Sequence, residues 1–162
     1  MRRILVLAAL LGVAAPALAQ RERLGTWSFW GAFQENERCY AIAEPFQAPA
    51  ADGWRPFASV GFWPSRRLSG QVHVRLSREK RPGSAVLLRV GGRTFQLAAG
   101  GRDAWAADPR ADAEIVAAMR SGLEMSVETR STRGALVRDL YRLRGAPTAI
   151  DAAAIACTRR QR

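Results

Sequence analysis

The chain has 162 residues, of which 48% are hydrophobic, and this is enough for a single domain with a core of its own. Its formal net charge is +11, and of the 25 basic residues only Lys80 is a lysine. A surface this basic attracts polyanions, although an arginine-rich composition can equally reflect nucleotide composition. One histidine and two distant cysteines exclude a clustered zinc site, and we expect neither a metal nor a cofactor.

The first nineteen residues predict an export signal. Two arginines precede an apolar run over residues 4–15, and Ala17 and Ala19 supply the small-x-small pattern that a signal peptidase cuts. The run is too short to cross about 30 Å of hydrocarbon, so an uncleaved anchor is the less favoured alternative. We therefore expect residues 1–19 to be a signal peptide and residues 20–162 to form one domain, periplasmic or secreted.

Short apolar runs separated by turn residues predict strands in the first half of the chain. Residues 27–33 and 39–43 predict two strands with a turn between them. Residues 56–62 have apolar side chains at both odd and even positions, which favours a strand whose two faces are both covered. Pro64 ends this predicted strand. Residues 71–77 alternate between apolar and polar side chains, which predicts a half-buried strand.

A hairpin is the clearest local signal. Gly91-Gly92 joins the apolar runs 86–90 and 93–97, and two glycines between such runs are typical of a two-residue hairpin loop. This loop length pairs Leu88 with Phe95, so that their side chains share one face of the sheet.

The first predicted helix has signals at both ends. Asp108 is a suitable N-cap, Pro109 fits the first helical position, and Gly122 closes the segment. Ile115 and Met119 are four residues apart, which places both on one face. A short amphipathic helix is predicted.

Two further strands and a second helix are predicted near the end of the chain. Residues 125–129 and 137–143 alternate as strands. Thr148, with Asp151 three residues later, approximates a capping box before an alanine-rich helix. Cys157 lies on the face of that helix that we expect to point inward.

Cys39 and Cys157 allow only one pairing, and an exported chain favours a disulfide between them. The bond would tie the last helix to the first strands and contribute about 4 to 5 kcal/mol. The predicted fold is mainly β, an antiparallel β-sandwich-like domain or a strongly bent sheet, with two short helices of which the C-terminal one is tethered by the disulfide. The tryptophans expected mainly in its core are Trp27, Trp30, Trp54, Trp63 and Trp105.

The catalytic inventory is small. His73 is the only histidine, so a Ser-His-Asp or Cys-His mechanism would depend on it, and its place on the polar face of a strand favours a solvated or hydrogen-bonded role. Carboxylates close in sequence, such as Glu35 and Glu37, leave a carboxylate-dependent hydrolase open as an alternative. We assign no catalytic residue.

The basic surface is the stronger functional lead. The residues that could form a surface for an anionic partner are Arg66, Arg67, His73, Arg75, Arg78, Arg142 and Arg144, with Lys80 and Arg81 in a neighbouring turn. Anionic glycolipid, a phospholipid surface or an acidic protein would be the partner. The alternative is a solvated surface without a dedicated ligand. Nucleic acid would be attracted by the same charge, but we do not expect an exported chain to meet it.

Several short motifs resemble the invasion-associated locus B family, small exported envelope proteins of alphaproteobacteria. They are the strand 30–33, the run 39–43 after it, and the segment 141–145 before an alanine-rich helix that ends in Cys157. Gln34 stands where an additional cysteine of the family would fall. The resemblance implies a periplasmic or envelope-associated β domain with no established enzymatic activity, linked by name to host-cell invasion.

The sequence therefore predicts a non-enzymatic exported interaction domain of the periplasm or envelope, with a protein or an anionic envelope component as its partner. One alternative is a hydrolase of envelope polymers that uses carboxylates such as Glu35 or Glu44. The other is a binder of anionic lipid or glycolipid through an arginine-rich sheet face.

Overall fold

The structure, a computed structural model, describes residues 21–50 and 53–159, where the chain forms ten strands and two α-helices. The predicted signal peptide, with Ala17 and Ala19, lies outside these residues. The strands are β1 (Arg21–Trp27), β2 (Trp30–Glu35), β3 (Arg38–Ala43), β4 (Phe57–Trp63), β5 (Leu68–Arg75), β6 (Val86–Val90), β7 (Arg93–Gly100), β8 (Asp103–Trp105), β9 (Glu124–Arg130) and β10 (Leu136–Arg142). The helices are α1 (Pro109–Ser121) and α2 (Ala146–Arg159). Neither helix is long and apolar enough to span a bilayer.

The strands form one antiparallel sheet in the order β1-β2-β3-β4-β5-β8-β7-β6-β9-β10. The sheet bends so strongly that its last strand meets the connection after β3. Leu140 in β10 accepts a hydrogen bond from the Phe46 amide at 2.9 Å and donates one to the Gln47 carbonyl at 2.8 Å. The Trp30 indole Nε1 donates to the Arg142 carbonyl at 2.9 Å. The predicted mainly β, sandwich-like fold with two helices is confirmed.

Alternating side chains give the sheet an inner and an outer face. One inner row crosses β2 to β5 through Ala32, Ala41, Val60 and Val72, all of which are buried. Helix α2 packs against β1 to β4, and α1 packs against β5, β6 and β7. Since the helices cover the inner side, the outer face of β2 to β5 and β8 is the one that can meet a ligand.

The hairpin and α1 form as predicted. Leu88 in β6 pairs with Phe95 in β7. The Asp108 carboxylate accepts a hydrogen bond from the Ala111 amide at 2.8 Å and so caps α1, which ends at Ser121 before Gly122. These elements depend on residues that are near in sequence, which is why the sequence predicts them well.

The predicted disulfide is confirmed. Cys39 on β3 and Cys157 on α2 are bonded, with their Cα atoms 5.7 Å apart and a sequence separation of 118. Both cysteines are buried. The rest of the buried face of α2 is formed by Ala146, Ala149, Ile150 and Ala153.

The predicted single strand over residues 27–33 is wrong. The chain turns at Ser28 and Phe29, so that the end of β1 pairs with the start of β2 in a tight hairpin. Ser28 takes the left-handed backbone conformation with φ of 54°, a position that glycine or asparagine would have signalled in the sequence.

The predicted capping box at Thr148 is also wrong, because α2 begins two residues earlier, at Ala146. Gly145 precedes the helix with φ of +90°, and a Cβ atom at this position would meet the main-chain oxygen of Trp27. Only glycine fits this close approach, and the helix starts directly after it.

Candidate functional site

The outer face carries a cluster of rings and charged groups on β4, β5 and β8. Two rows cross these strands, with Ser59, His73 and Trp105 in one and Phe57, Arg75 and Asp103 in the next. We call Phe57, His73, Arg75, Asp103 and Trp105 the His73 cluster. The alternation in residues 71–77 predicts that His73 and Arg75 share this face, and the structure confirms it.

Hydrogen bonds and ring contacts fix the imidazole of His73. Its Nε2 lies 2.8 Å from Asp103 Oδ1, and Arg75 Nε donates to the same oxygen at 3.0 Å. The imidazole stacks on Trp105 with centroids 5.1 Å apart and planes 5° from parallel. Phe57 packs almost perpendicular to it, with centroids 5.1 Å apart.

The electrostatics favour a neutral imidazole. Burial lowers the pKa of His73, and this outweighs the hydrogen bond and the charge of Asp103, which act to raise it. Burial acts to raise the pKa of Asp103, but the hydrogen bonds from Arg75 and His73 prevail and lower it. Because an ionised carboxylate only accepts hydrogen bonds, His73 carries its proton on Nε2 and donates it to Asp103.

A second cluster lies on β1, β2 and β3. The Arg21 guanidinium carbon is 4.0 Å from the ring centroid of Phe33, and Phe33 stacks on Tyr40 at 5.8 Å. The Arg38 guanidinium carbon is 4.8 Å from the Tyr40 centroid, and its Nη2 is 2.7 Å from Glu35 Oε2. We call these five residues the Tyr40 cluster.

The two clusters belong to one continuous face. Gly61 on β4 pairs with Tyr40 on one side and with Gln71 on the other. A Cβ atom on Gly61 would meet the ring of Trp63, so glycine is needed here for the ring to cover the strand. Two strand spacings and one row separate Tyr40 from His73, which is about 12 Å.

The arrangement of Ser59, His73 and Asp103 does not match a serine-hydrolase triad. Ser59 lies opposite His73, but its Oγ donates to the main-chain oxygen of His73 at 3.3 Å rather than to the imidazole. A nucleophilic serine requires the imidazole as its hydrogen-bond acceptor. In this geometry the hydrogen bond between Asp103 and His73 holds the imidazole in place and does not activate Ser59 as a nucleophile.

The two carboxylates proposed for a hydrolase both lie in ion pairs. The hydrogen bond from Arg38 lowers the pKa of Glu35, so that Glu35 is ionised and unsuited to act as a general acid. Arg55 Nη1 lies 3.3 Å from Glu44 Oε1 on the surface. Within residues 21–50 and 53–159 no three His, Cys, Asp or Glu side chains are grouped so as to hold a metal ion.

The structure disperses the other predicted basic residues. Arg66 and Arg67 lie at the turn before β5, roughly 25 Å along that strand from Arg75. Arg78 lines a cleft of about 370 Å³ beside Trp54 and Arg133. The remaining predicted residues lie in the loop after β5 and at the end of β10, namely Lys80, Arg81, Arg142 and Arg144.

Sequence reasoning missed three of the five residues of the His73 cluster, namely Phe57, Asp103 and Trp105. Of the five tryptophans expected mainly in the core only Trp30 is fully buried, because Trp27, Trp54 and Trp63 are partly exposed and Trp105 is 37% exposed and stacks on His73. Trp105 and Asp103 both belong to β8, a strand of three residues, which is too short to show a periodic pattern in the sequence.

Comparisons of the chain with protein-family models, with curated proteins and with solved structures find no match. The resemblance to the invasion-associated locus B family therefore stays a prediction from sequence motifs.

Proposed function

We propose that the protein is an exported, non-enzymatic interaction domain of the cell envelope, and that its outer face binds the anionic sugar part of a glycolipid. The observation that carries this proposal is the pairing of arginines with partly exposed rings on one sheet face. Arginine binds carboxylate and phosphate groups through bidentate hydrogen bonds. Aromatic rings stack against the apolar faces of sugars.

The charges on the outer face favour an anionic ligand. Arg21 packs on Phe33 rather than on a carboxylate, and its guanidinium N–H groups are the donors that an anion needs. Asp103 offsets the charge of Arg75 and His73 is neutral, so the His73 cluster has no net charge, whereas Glu35 offsets only one of the two arginines of the Tyr40 cluster. Without residues 1–19, which hold Arg2 and Arg3 and no acidic residue, the formal charge is still +9, and it adds a long-range attraction for the same class of ligand.

Two features of the chain and its sequence resemblance support export and an envelope location. The sequence predicts a cleavable signal, the chain contains a buried disulfide, and disulfides persist in oxidising compartments such as the periplasm. The resemblance to the invasion-associated locus B family agrees with this location. Fractionation of cells that express the full chain would test it, since recovery of an uncleaved cytoplasmic protein would contradict the proposal.

The binding test compares two matched arginine variants of the oxidised mature domain. Arg75 lies over Phe57 and pairs with Asp103, while Arg93 lies over Phe95 and pairs with Glu114 on another part of the sheet. We expect R75Q to weaken binding to lipopolysaccharide micelles by about fivefold to tenfold, and R93Q to change it less than twofold.

A second variant tests the aromatic contribution. W105A should weaken the same binding by about tenfold, because the sugar ring loses its stacking partner while the fold keeps its core. Circular dichroism spectra identical to those of the parent would show that the sheet is intact. Parent-like binding by both R75Q and W105A would overturn the proposed site.

A further inference from the structure

A second exposed surface lies at the end of β10, away from the two clusters. Three apolar side chains are prominent there, since Phe29 is 43%, Phe46 is 40% and Leu123 is 87% exposed. They come from three different connections that adjoin the end of β10, where Arg142 is the last strand residue and Arg144 follows it. We call these five residues the β10 end.

Main-chain hydrogen bonds hold the segments that carry these side chains against the end of β10. The Phe29 amide donates to the Arg144 carbonyl at 3.5 Å, and the Phe46 amide donates to the Leu140 carbonyl at 2.9 Å. The Leu143 amide donates to the Leu123 carbonyl at 2.9 Å. Leu123 and Phe29 thus flank the end of β10 on opposite sides, which puts their backbones about 10 Å apart.

Arg142 lies between the two rings. Its guanidinium carbon is 4.7 Å from the centroid of Phe46 and 5.1 Å from that of Phe29. Glu124 is its neighbour across the β9–β10 pair, yet among the described residues neither Arg142 nor Arg144 forms an ion pair with a carboxylate. Both guanidinium groups therefore remain available to an external anion.

Closure of the sheet explains only part of this arrangement. Two rings on one arginine would cover the point where β10 meets the β1–β2 turn and the segment after β3. Closure gives no reason for Leu123, which lies just before β9 on the other side of β10, to be almost fully exposed. Apolar side chains flanked by arginines are instead the composition of a surface that lies on an anionic membrane.

We propose that the β10 end docks on the surface of an anionic phospholipid bilayer. Phe29, Phe46 and Leu123 enter the boundary between headgroups and acyl chains, and Arg142 and Arg144 bind lipid phosphates. This surface uses none of the residues of the His73 or Tyr40 clusters, so it goes beyond the proposed glycolipid site. It would orient the domain on the membrane.

Vesicle sedimentation tests the proposal with the oxidised mature protein. Vesicles of phosphatidylcholine with phosphatidylglycerol are compared with vesicles of phosphatidylcholine alone, at low and at high salt. We expect binding to the anionic vesicles only, and we expect high salt to weaken it because the attraction is screened. Equal binding to both kinds of vesicle, or no binding to either, would overturn the proposal.

Matched variants assign the contact to the β10 end. R142Q/R144Q should weaken binding by about 25-fold, which is fivefold for each arginine, whereas R66Q/R67Q removes the same charge elsewhere and should cost less than threefold. L123S should weaken binding about fivefold, and its control L136S, which replaces another exposed leucine, should not.

Two results would contradict this assignment. If R66Q/R67Q weakened binding as much as R142Q/R144Q, net charge and not this surface would carry the interaction. If R144Q and L123S, which leave the Arg142 ring contacts intact, both bound as the parent does, the docking surface would lie elsewhere. R75Q should leave vesicle binding unchanged, which separates this test from that of the glycolipid site.

Discussion

Replacing Cys39 and Cys157 together by alanine should destabilise the domain by about 5 kcal/mol. The bond closes a loop with a sequence separation of 118 residues, and the chain-entropy relation gives about 5 kcal/mol for a loop of this length at 25 °C. Helix α2 has little else of comparable strength, because Ile150 is the only large aliphatic side chain on its buried face. Burial of one isoleucine contributes about 2 kcal/mol. A loss of this size is a third or more of the stability of an ordinary domain.

Urea denaturation at pH 7 measures the loss. With a typical slope of about 2 kcal/mol per molar urea, the unfolding midpoint should fall by roughly 2.5 M, and the slope should rise because the unfolded chain without the cross-link is less compact. Fluorescence of the fully buried Trp30 and circular dichroism should report the same transition. Reduction of the parent by dithiothreitol should reproduce the effect, and the variant should not respond to the reagent. A loss below about 1 kcal/mol would refute the reasoning.

Three further outcomes follow from single residues. Burial raises the folded-state pKa of Asp139, so the protonated Asp139 side chain favours the folded state at low pH, and this contribution to stability is lost as pH rises through that pKa. The D139N variant should therefore match or exceed the stability of the parent at pH 7, and the difference between their urea midpoints should shrink at lower pH. G145A should cost at least about 2 kcal/mol in thermal unfolding, because it adds a clash with Trp27 to the strain of positive φ, whereas G134A, with open space around it, should cost only about 1 kcal/mol. The folded-state pKa of His73 is lowered, so the contribution of the neutral His73 to stability is present above the ordinary histidine pKa and is lost as pH falls through the folded-state pKa. NMR titration of this single imidazole should show a midpoint below that of a histidine-containing peptide. An equal or higher midpoint would contradict the burial of His73.

Elements specified by neighbouring residues were predictable from the sequence. The Gly91-Gly92 loop fixes the pairing of β6 with β7, and Asp108 with Pro109 fixes the start of α1. The bend of the sheet was predictable only as an alternative to a sandwich. It depends on contacts between distant segments, such as that of Leu140 with Phe46, which no local pattern encodes.

The candidate site was predictable only in part, for the same reason. Alternation along β5 places His73 beside Arg75, but Asp103 and Trp105 reach them through a strand of three residues. The prediction of a cationic face required that basic residues from different strands lie next to one another in the folded sheet. In the folded chain Arg66 and Arg142 belong to different ends of the sheet, because strand order and direction decide which side chains become neighbours.

The two margins of the sheet differ in how they are protected from other molecules. The margin at β10 is occupied by the chain itself, through the bridge from Gln47 and the indole of Trp30. At the other margin, β1 has β2 as its neighbour on one side. Strand β1 begins with the alternating charges of Arg21, Glu22 and Arg23, and its pairing register with β2 shifts after Arg23. Charged side chains and irregular pairing disfavour the addition of a foreign strand. The domain can therefore stay dispersed in a crowded compartment although its sheet does not close on itself by continuous strand pairing.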